Sequence, residues 1–165
     1  MADDIYERIQ KGYIDLCVSG SEMRVSKLCE NIDITMSEFY QCYHDLEDLH
    51  TQMQRDVIRD MFKTIEDHMQ DGFDICIFID RGLEFMEGCS ETFDFFIDVD
   101  KDAKFNEHWC SKLIKAVKKV TGSEDQLALE TLSYAVIGGM IYAYKNDLED
   151  HSSLNRMATG LMGMI

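Results

Sequence analysis

The chain has 165 residues, of which 45% are hydrophobic and 29% are charged, and its formal net charge at pH 7 is -16. This length accommodates one domain with a proper core, or a small head on a larger body, and excludes two large domains. The hydrophobic content argues against a disordered chain. The absence of proline together with eleven methionines favours helices over sheets.

The net charge limits the partners that the protein can bind, and the cysteines indicate the compartment in which it works. A strongly acidic protein repels nucleic acid at long range, so DNA binding would need a local patch. The six cysteines form no CxxC pair, and the N-terminal MADDIYERI lacks the apolar core of a signal peptide. The longest uncharged apolar run, residues 132–144, is too short to cross a bilayer. We therefore expect a cytoplasmic protein without a membrane span.

The first third of the chain predicts three short helices. Apolar residues recur at spacings of three and four over residues 5–18, and the sequence SGS then ends this helix. A second helix, residues 25–32, ends at Asp33, whose side chain tolerates the left-handed conformation of a tight turn. Thr35 and Glu38 have the spacing of a capping box, which predicts the start of a third helix.

Longer helices are predicted in the middle of the chain. Asp45 is a good N-cap, and apolar residues recur every three or four positions from Leu46 to Met69. Such a helix is about 36 Å long, enough to link a head to a body. Residues 72–88 also have helical spacing, although ICIFI at 75–79 suits a buried strand as well.

Three further helices are predicted in the C-terminal third. The first is an amphipathic helix over residues 104–122. Ser123 and Gln126 suggest a second capping box, and the helix that they start ends near Tyr144. The last helix covers about residues 152–164.

The helix that ends near Tyr144 is apolar on every side and must therefore be covered on every side. Gly138 and Gly139 in its middle cost about 1 kcal/mol each in helix propensity unless they permit a close approach. We expect another helix to make that approach, and a core helix buried inside a monomer is the alternative.

Residues 23–49, MRVSKLCENIDITMSEFYQCYHDLEDL, resemble the DNA-binding head of the TetR/AcrR family of transcriptional regulators. The family's spacing is kept without a gap at Val25, Leu28-Cys29, Asp33-Ile34-Thr35, Phe39-Tyr40, Cys42-Tyr43 and Glu47-Asp48-Leu49. The resemblance implies an all-α protein with a three-helix helix-turn-helix head, residues 1–48. A long helix would join this head to a helical ligand-binding and dimerisation domain, residues 49–165.

The resemblance also implies a function, that of a ligand-responsive homodimeric transcriptional regulator that binds a DNA operator. It implies no catalytic residue, metal or cofactor, and the five histidines form no HExxH or other close metal spacing. Transferred by position, the residues expected at the DNA are Arg24, Lys27, Thr35, Met36, Ser37, Tyr40, Gln41 and His44.

The electrostatics of this head depart from the family pattern. From Leu28 to Gln54 there is no Lys or Arg but there are six acids, and residues 1–50 contain eleven acids and four bases, a net charge of -7. Each lost phosphate contact lowers the affinity that is common to all DNA sequences. The alternative function is therefore a TetR-like interaction module or co-regulator that acts through a protein partner without binding DNA by itself.

Two further sites follow from the family's layout. Its last two helices form a dimeric four-helix bundle, which implies a dimer interface at Tyr134, Gly138, Gly139, Ile141, Tyr142, Met157, Leu161 and Met164. Its body holds a pocket for a small apolar inducer, for which the candidates are Phe78, Phe85, Phe93, Phe96 and Trp109. Core packing explains these aromatic residues equally well.

Overall fold

The computed structural model describes residues 2–69, 72–100 and 103–165, without the side chains of residues 2–4. These residues form helices and no strand, so the prediction of an all-α protein is confirmed. The helices in chain order are α1 (Ala2–Val18), α2 (Val25–Asn31), α3 (Met36–Cys42), α4 (Leu46–Glu66), α5 (Ile75–Gly88), α6 (Ser90–Asp94), a π-helix (Phe95–Val99), α7 (Lys104–Thr121), α8 (Gln126–Lys145) and α9 (Ser152–Met162).

The chain divides into two compact units. The first is Met1–Val57 with Asp94–Lys101, and the second is Ile58–Phe93 with Asp102–Ile165. This division differs from the sequence-based boundary between residues 48 and 49. The first unit includes the N-terminal part of α4, and it also includes the π-helix, because that segment packs on α1.

The first unit is a small bundle around α2. Ile9 of α1, Leu28 of α2, Phe39 of α3 and Leu49 of α4 are all fully buried, as the apolar spacing of these helices requires. The left-handed turn after α2 is confirmed, since Asp33 has φ 53°. This turn directs the chain from α2 into α3.

The second unit is built on α8, which packs against α5, α7 and α9. Trp109 of α7 and Met140 of α8 are fully buried in its core. The segment that suited either a strand or a helix is the helix α5, and the Asp74 carboxylate caps it by accepting from the Cys76 and Ile77 amides.

Two predicted helix ends are wrong. α4 ends at Glu66, before Met69, although its apolar spacing continues. The predicted capping box at the start of α8 does not form, because Asp125 stands directly before the helix and accepts from the Ala128 amide at 3.1 Å. Gln126 instead donates to Glu130 within the same helix.

One helix bears on the expectation that no segment crosses a membrane. Among the described residues α8 is long and apolar enough to do so by length and composition. A core helix of a soluble protein meets the same criterion, and 39% of the apolar part of α8 is buried. One such helix is insufficient for a membrane protein, and the cytoplasmic location stays a prediction.

Candidate functional site

The segment that resembles a recognition helix is α3, held in place by one buried ring. Phe39 is fully buried and lies 6.0 Å from the ring of Tyr43, measured between centroids. With Phe39 facing inward, the opposite side of α3 faces solvent. The predicted DNA-contacting residues on this exposed side are Met36, Ser37, Tyr40 and Gln41, followed by His44 after the helix.

Thr35 is the N-cap residue of α3. Its Oγ1 accepts from the Glu38 amide at 3.2 Å, and a Glu38 carboxylate oxygen accepts from the Thr35 amide at 2.7 Å. The predicted capping box is therefore confirmed. The hydrogen bonds from the Thr35 amide and hydroxyl lower the pKa of Glu38, because they stabilise its ionised form.

Two more acids of the head stabilise the start of α4. Asp45 accepts from the Asp48 amide at 2.8 Å, as expected for an N-cap. The Asp48 carboxylate accepts from the His44 amide at 2.9 Å and from the Gln52 side chain at 2.9 Å, and these bonds lower its pKa. Negative charge at a helix N-terminus is favourable, because the free amides there carry positive partial charge. Three of the six acids between Leu28 and Gln54, namely Glu38, Asp45 and Asp48, thus stabilise helix starts.

The cations near the turn are partly engaged. Arg24 forms an ion pair with Glu22, with Nε and Oε1 3.0 Å apart, so a phosphate must displace Glu22 before Arg24 can bind it. Arg8 donates to the Ile32 carbonyl at the end of α2, a role that local spacing could not predict, because 24 residues separate the two. Lys27 lies exposed on α2.

A polar network that the sequence did not predict joins α1, α4 and the π-helix segment. His50 Nδ1 lies 3.1 Å from the Tyr13 hydroxyl, and His50 Nε2 lies 3.0 Å from Asp100 Oδ2. Gln54 is 4% exposed, and its Nε2 lies 2.9 Å from His50 Nε2 and 3.2 Å from Asp100 Oδ2. When His50 Nε2 is protonated it donates to Asp100, and when it is not it accepts from Gln54. Together with the ring of Phe95 against Tyr13, the network fastens this segment to the head.

The predicted ligand-pocket residues are divided between the two units. Phe93 lies in the core of the second unit, with its ring centroid 5.8 Å from Trp109 and 6.2 Å from Phe85. Phe78 is fully buried in the same unit. Phe96 belongs to the first unit. The five predicted residues therefore do not all belong to one unit.

Two cavities of the second unit lie between its helices. One, of about 280 Å³, lies between α7 and α8, and the other, of about 530 Å³, lies between α5 and the start of α9. None of the five aromatic residues lines either of these two cavities. Trp109 Nε1 is buried without a hydrogen-bond partner among the described residues. The inducer pocket stays a prediction.

The predicted dimer interface is largely a solvent-exposed surface of α8 and α9. The exposed fractions are 53% for Tyr134 and 63% for Tyr142 on α8, and 79% for Met164 after α9. The remaining members are Gly138 and Met157, which are exposed, and Gly139, Ile141 and Leu161, which are half-buried. Within this chain α8 is therefore not covered on every side.

The two glycines of α8 differ in their surroundings. A Cβ at Gly139 would collide with the Leu154 side chain of α9, so this glycine permits close packing inside the chain. A Cβ at Gly138 would meet nothing within 4 Å. The close approach expected at the glycines is thus observed at Gly139, and the surface at Gly138 is open.

Comparisons with protein-family models, with curated proteins and with solved structures find no match for this chain. The likeness to the TetR/AcrR family therefore depends on the spacing of residues 23–49 and on the order of the helices. Neither the family nor its function is shown for this protein.

Proposed function

We propose that this protein is a ligand-responsive homodimeric transcriptional regulator of the TetR type, in which the exposed side of α3 contacts an operator. The observation that carries the proposal is that three carboxylates around α3 accept hydrogen bonds from backbone amides. Glu38, Asp45 and Asp48 bind backbone amides at helix starts, and the exposed residues of α3 beside them are uncharged. The side chains that would enter a groove are thus separate from those that carry the negative charge.

The exposed side of α3 has the chemistry needed to distinguish bases. Ser37, Tyr40 and Gln41 are spaced at i, i+3 and i+4, so they follow one face of α3, and His44 follows after the helix has ended. A glutamine amide pairs in bidentate fashion with the N6 and N7 atoms of adenine in the major groove, and a serine hydroxyl accepts or donates. We assign sequence discrimination mainly to Gln41.

A homodimer would present two such helices to two half-sites about 34–36 Å apart, one turn of the DNA helix. α4 belongs to the head up to Val57 and continues into the second unit. A ligand that favours one arrangement of the body would shift the separation of the two heads and therefore the affinity for the operator.

The test is a gel shift with the DNA that lies upstream of the protein's own gene, at about 50 mM salt, where phosphate contacts are strongest. Gln41→Ala should weaken the shift by about 1–3 kcal/mol, roughly 5-fold to 150-fold. Gln126→Ala removes an exposed glutamine from the start of α8 and should leave the shift unchanged. If neither the parent protein nor the Gln126→Ala variant shifts this DNA, the operator-binding proposal is wrong.

The second candidate function is an interaction module that acts through a protein partner. It is favoured by the exposed fractions of Met36 and Tyr40, 47% and 51%, in a head whose net charge is -7. Exposed methionine and tyrosine are typical of protein interfaces. Met36→Asp should then abolish co-purification of the partner, whereas Gln41→Ala should have a smaller effect on it. A low-salt DNA shift by the isolated protein would decide against this candidate.

A further inference from the structure

The solvent-exposed face of α8 is a single stripe. Its members recur at spacings of four, three, four, four and three residues, which keeps them on one side of an α-helix. Each of them is exposed in this chain. The stripe consists of Leu127, Thr131, Tyr134, Gly138, Tyr142 and Lys145.

The centre of this stripe is symmetric in spacing about Gly138. Tyr134 lies four residues before it and Tyr142 four residues after it, while Thr131 lies seven residues before it and Lys145 seven after. When two identical helices pack antiparallel about a two-fold axis, a residue n positions before the axis meets the residue n positions after it in the other copy. The stripe would therefore place tyrosine against tyrosine, and the Thr131 hydroxyl against the Lys145 ammonium group.

Glu130 adds a complementary charge on the flank of the stripe. This residue is half-buried, and its carboxylate accepts from the Gln126 side chain at 2.7 Å. At about 100° per residue, Glu130 lies roughly 80° and Lys145 roughly 20° from Gly138 around the helix, both on the same side. The two-fold axis that relates two antiparallel helices is perpendicular to both of them. The flank that carries Glu130 and Lys145 therefore lies on the same side of the helix pair in both copies. Lys145 of one copy is thus brought beside Glu130 of the other.

The surface beside Gly138 is open to another molecule. Because Gly138 has no Cβ and open space above it, two α8 helices can approach closely at this point. The cavity of about 280 Å³ between α7 and α8 is lined by Gly138, Tyr134 and Ile141 among others. A second α8 that lies along the stripe would cover the opening of this cavity and remove apolar surface from water.

We propose that two copies of this chain pair through α8 in an antiparallel arrangement with the two-fold axis at Gly138. In this arrangement Tyr134 of each copy packs against Tyr142 of the other, and Lys145 of each copy lies between Thr131 and Glu130 of the other. The proposal rests on the homodimer of the proposed function and specifies its orientation and register.

The charge at Lys145 selects the antiparallel arrangement. In a parallel pair of α8 helices, Lys145 would lie beside the second Lys145 at the end of the stripe, and like charges at an interface are unfavourable. The antiparallel pair separates the two lysines and gives each of them the carboxylate of Glu130 from the other copy. Exchange of the charges at these two positions therefore tests the arrangement.

The first experiment is this charge exchange, measured as the dimer dissociation constant by light scattering over a dilution series. Glu130→Lys and Lys145→Glu should each weaken the dimer about tenfold, since each places like charges together at two symmetric contacts. The double variant restores opposite charges and should return to within about threefold of the parent. Lys63→Glu, which makes the same charge change at an exposed position of α4, is the control and should leave the constant unchanged.

The second experiment reads the register directly by disulfide formation on a non-reducing gel, with the parent chain as the background. Gly138→Cys should form a disulfide-linked dimer, because the two positions meet at the axis. Thr131→Cys alone should not, since its two copies lie about 21 Å apart along the helices, well beyond disulfide reach. The double variant Thr131→Cys with Lys145→Cys should link.

The possible failures are distinct. If the parent chain dimerises but the charge exchange restores nothing and Thr131→Cys links to itself, the antiparallel register is wrong and the homodimer stands. If the parent chain is monomeric at every concentration, both the register and the dimer of the proposed function are wrong.

Discussion

At the residue scale, a capping box predicted from the spacing of two residues forms where no neighbouring side chain competes for the free backbone amides. Thr35 and Glu38 form the capping box that their spacing predicts, because every hydrogen bond in this motif is local. The same spacing at Ser123 and Gln126 fails, because the Asp125 carboxylate stands closer to the helix start and takes the free amide. Arg8 could not be predicted, since its carbonyl partner is distant in the sequence.

Removal of the α3 cap should destabilise the first unit. Thr35→Ala deletes the hydroxyl that accepts from the Glu38 amide, which should lower the free energy of unfolding by about 1 kcal/mol. Urea denaturation followed by circular dichroism measures this change. Ser26→Ala, an exposed hydroxyl inside α2, is the control, and an equal loss there would argue against a specific cap.

The cap should also make stability depend on pH. The pKa of Glu38 is lowered from its ordinary value of 4.5 in the folded protein, so its ionised form stabilises the fold. This contribution is fully present above pH 4.5 and is lost as the pH falls through the lowered pKa. Between pH 6 and pH 3 the parent should therefore lose more stability than Glu38→Gln, measured by urea denaturation at both values. Glu30→Gln on α2 should behave like the parent, and identical losses in all three proteins would contradict the role of the cap.

The polar network at His50 should be sensitive to loss of its central amide. Gln54→Leu keeps the size of the side chain but removes its amide. The hydrogen bond to Asp100 and the contact with His50 are then lost in a largely buried position. We expect a loss of about 1–3 kcal/mol in the free energy of unfolding. Gln52→Leu, which alters a half-buried glutamine of the same helix, provides the comparison in the same urea assay. A smaller loss at Gln54 than at Gln52 would contradict the network.

At the element scale, apolar periodicity predicts the helices and leaves their partners undetermined. α1, α5, α7 and α9 appear close to where three- and four-residue spacing places them. The π-helix was not predicted, and neither was its place in the first unit, because the ring contact between Tyr13 and Phe95 joins residues far apart in the sequence. For the same reason, the sequence could not show that Phe96 belongs to the first unit and not to the unit of the other predicted pocket residues.

Gly12 and Gly82 each lie against a side chain from another part of the chain. The packing around each glycine should decide whether its replacement by alanine stabilises or destabilises the fold. Alanine should favour a helix interior over glycine by about 1 kcal/mol, yet a Cβ at Gly12 would collide with the Ile32 side chain and one at Gly82 with the end of Met140. Ile32 is branched at Cβ and cannot rotate away, whereas a methionine end moves easily. Gly12→Ala should lose about 1–3 kcal/mol in the free energy of unfolding, and Gly82→Ala should change it little. The reverse order, measured by urea denaturation, would contradict this packing.

At the scale of the whole molecule, composition predicts the all-α class, and the charge sets the main difficulty for DNA binding. A net charge of -16 opposes a polyanion at long range, so the affinity must come from short-range contacts and a second head. Charge counting alone could not show that Glu38, Asp45 and Asp48 stabilise helix starts, because this depends on where their carboxylates point.

A bulky side chain on the open surface at Gly138 tests the dimer as a whole. Gly138 is exposed, and a Cβ there meets nothing within 4 Å in the single chain. Gly138→Leu would hold two α8 helices apart, so we expect a monomer by light scattering with unchanged helix content. Val120→Ala, at an exposed position of α7 outside this stripe, should dimerise as the parent does. An unchanged mass for Gly138→Leu would remove this surface from the dimer.

The most direct test of operator binding by a dimeric head is selection from a pool of random duplex DNA at about 50 mM salt. The protein should enrich a sequence with two half-sites whose centres lie about 34–36 Å apart. Gln41→Ala should weaken this enrichment, while Gln126→Ala preserves it. A bound pool with no enriched sequence would contradict the proposal that α3 contacts an operator.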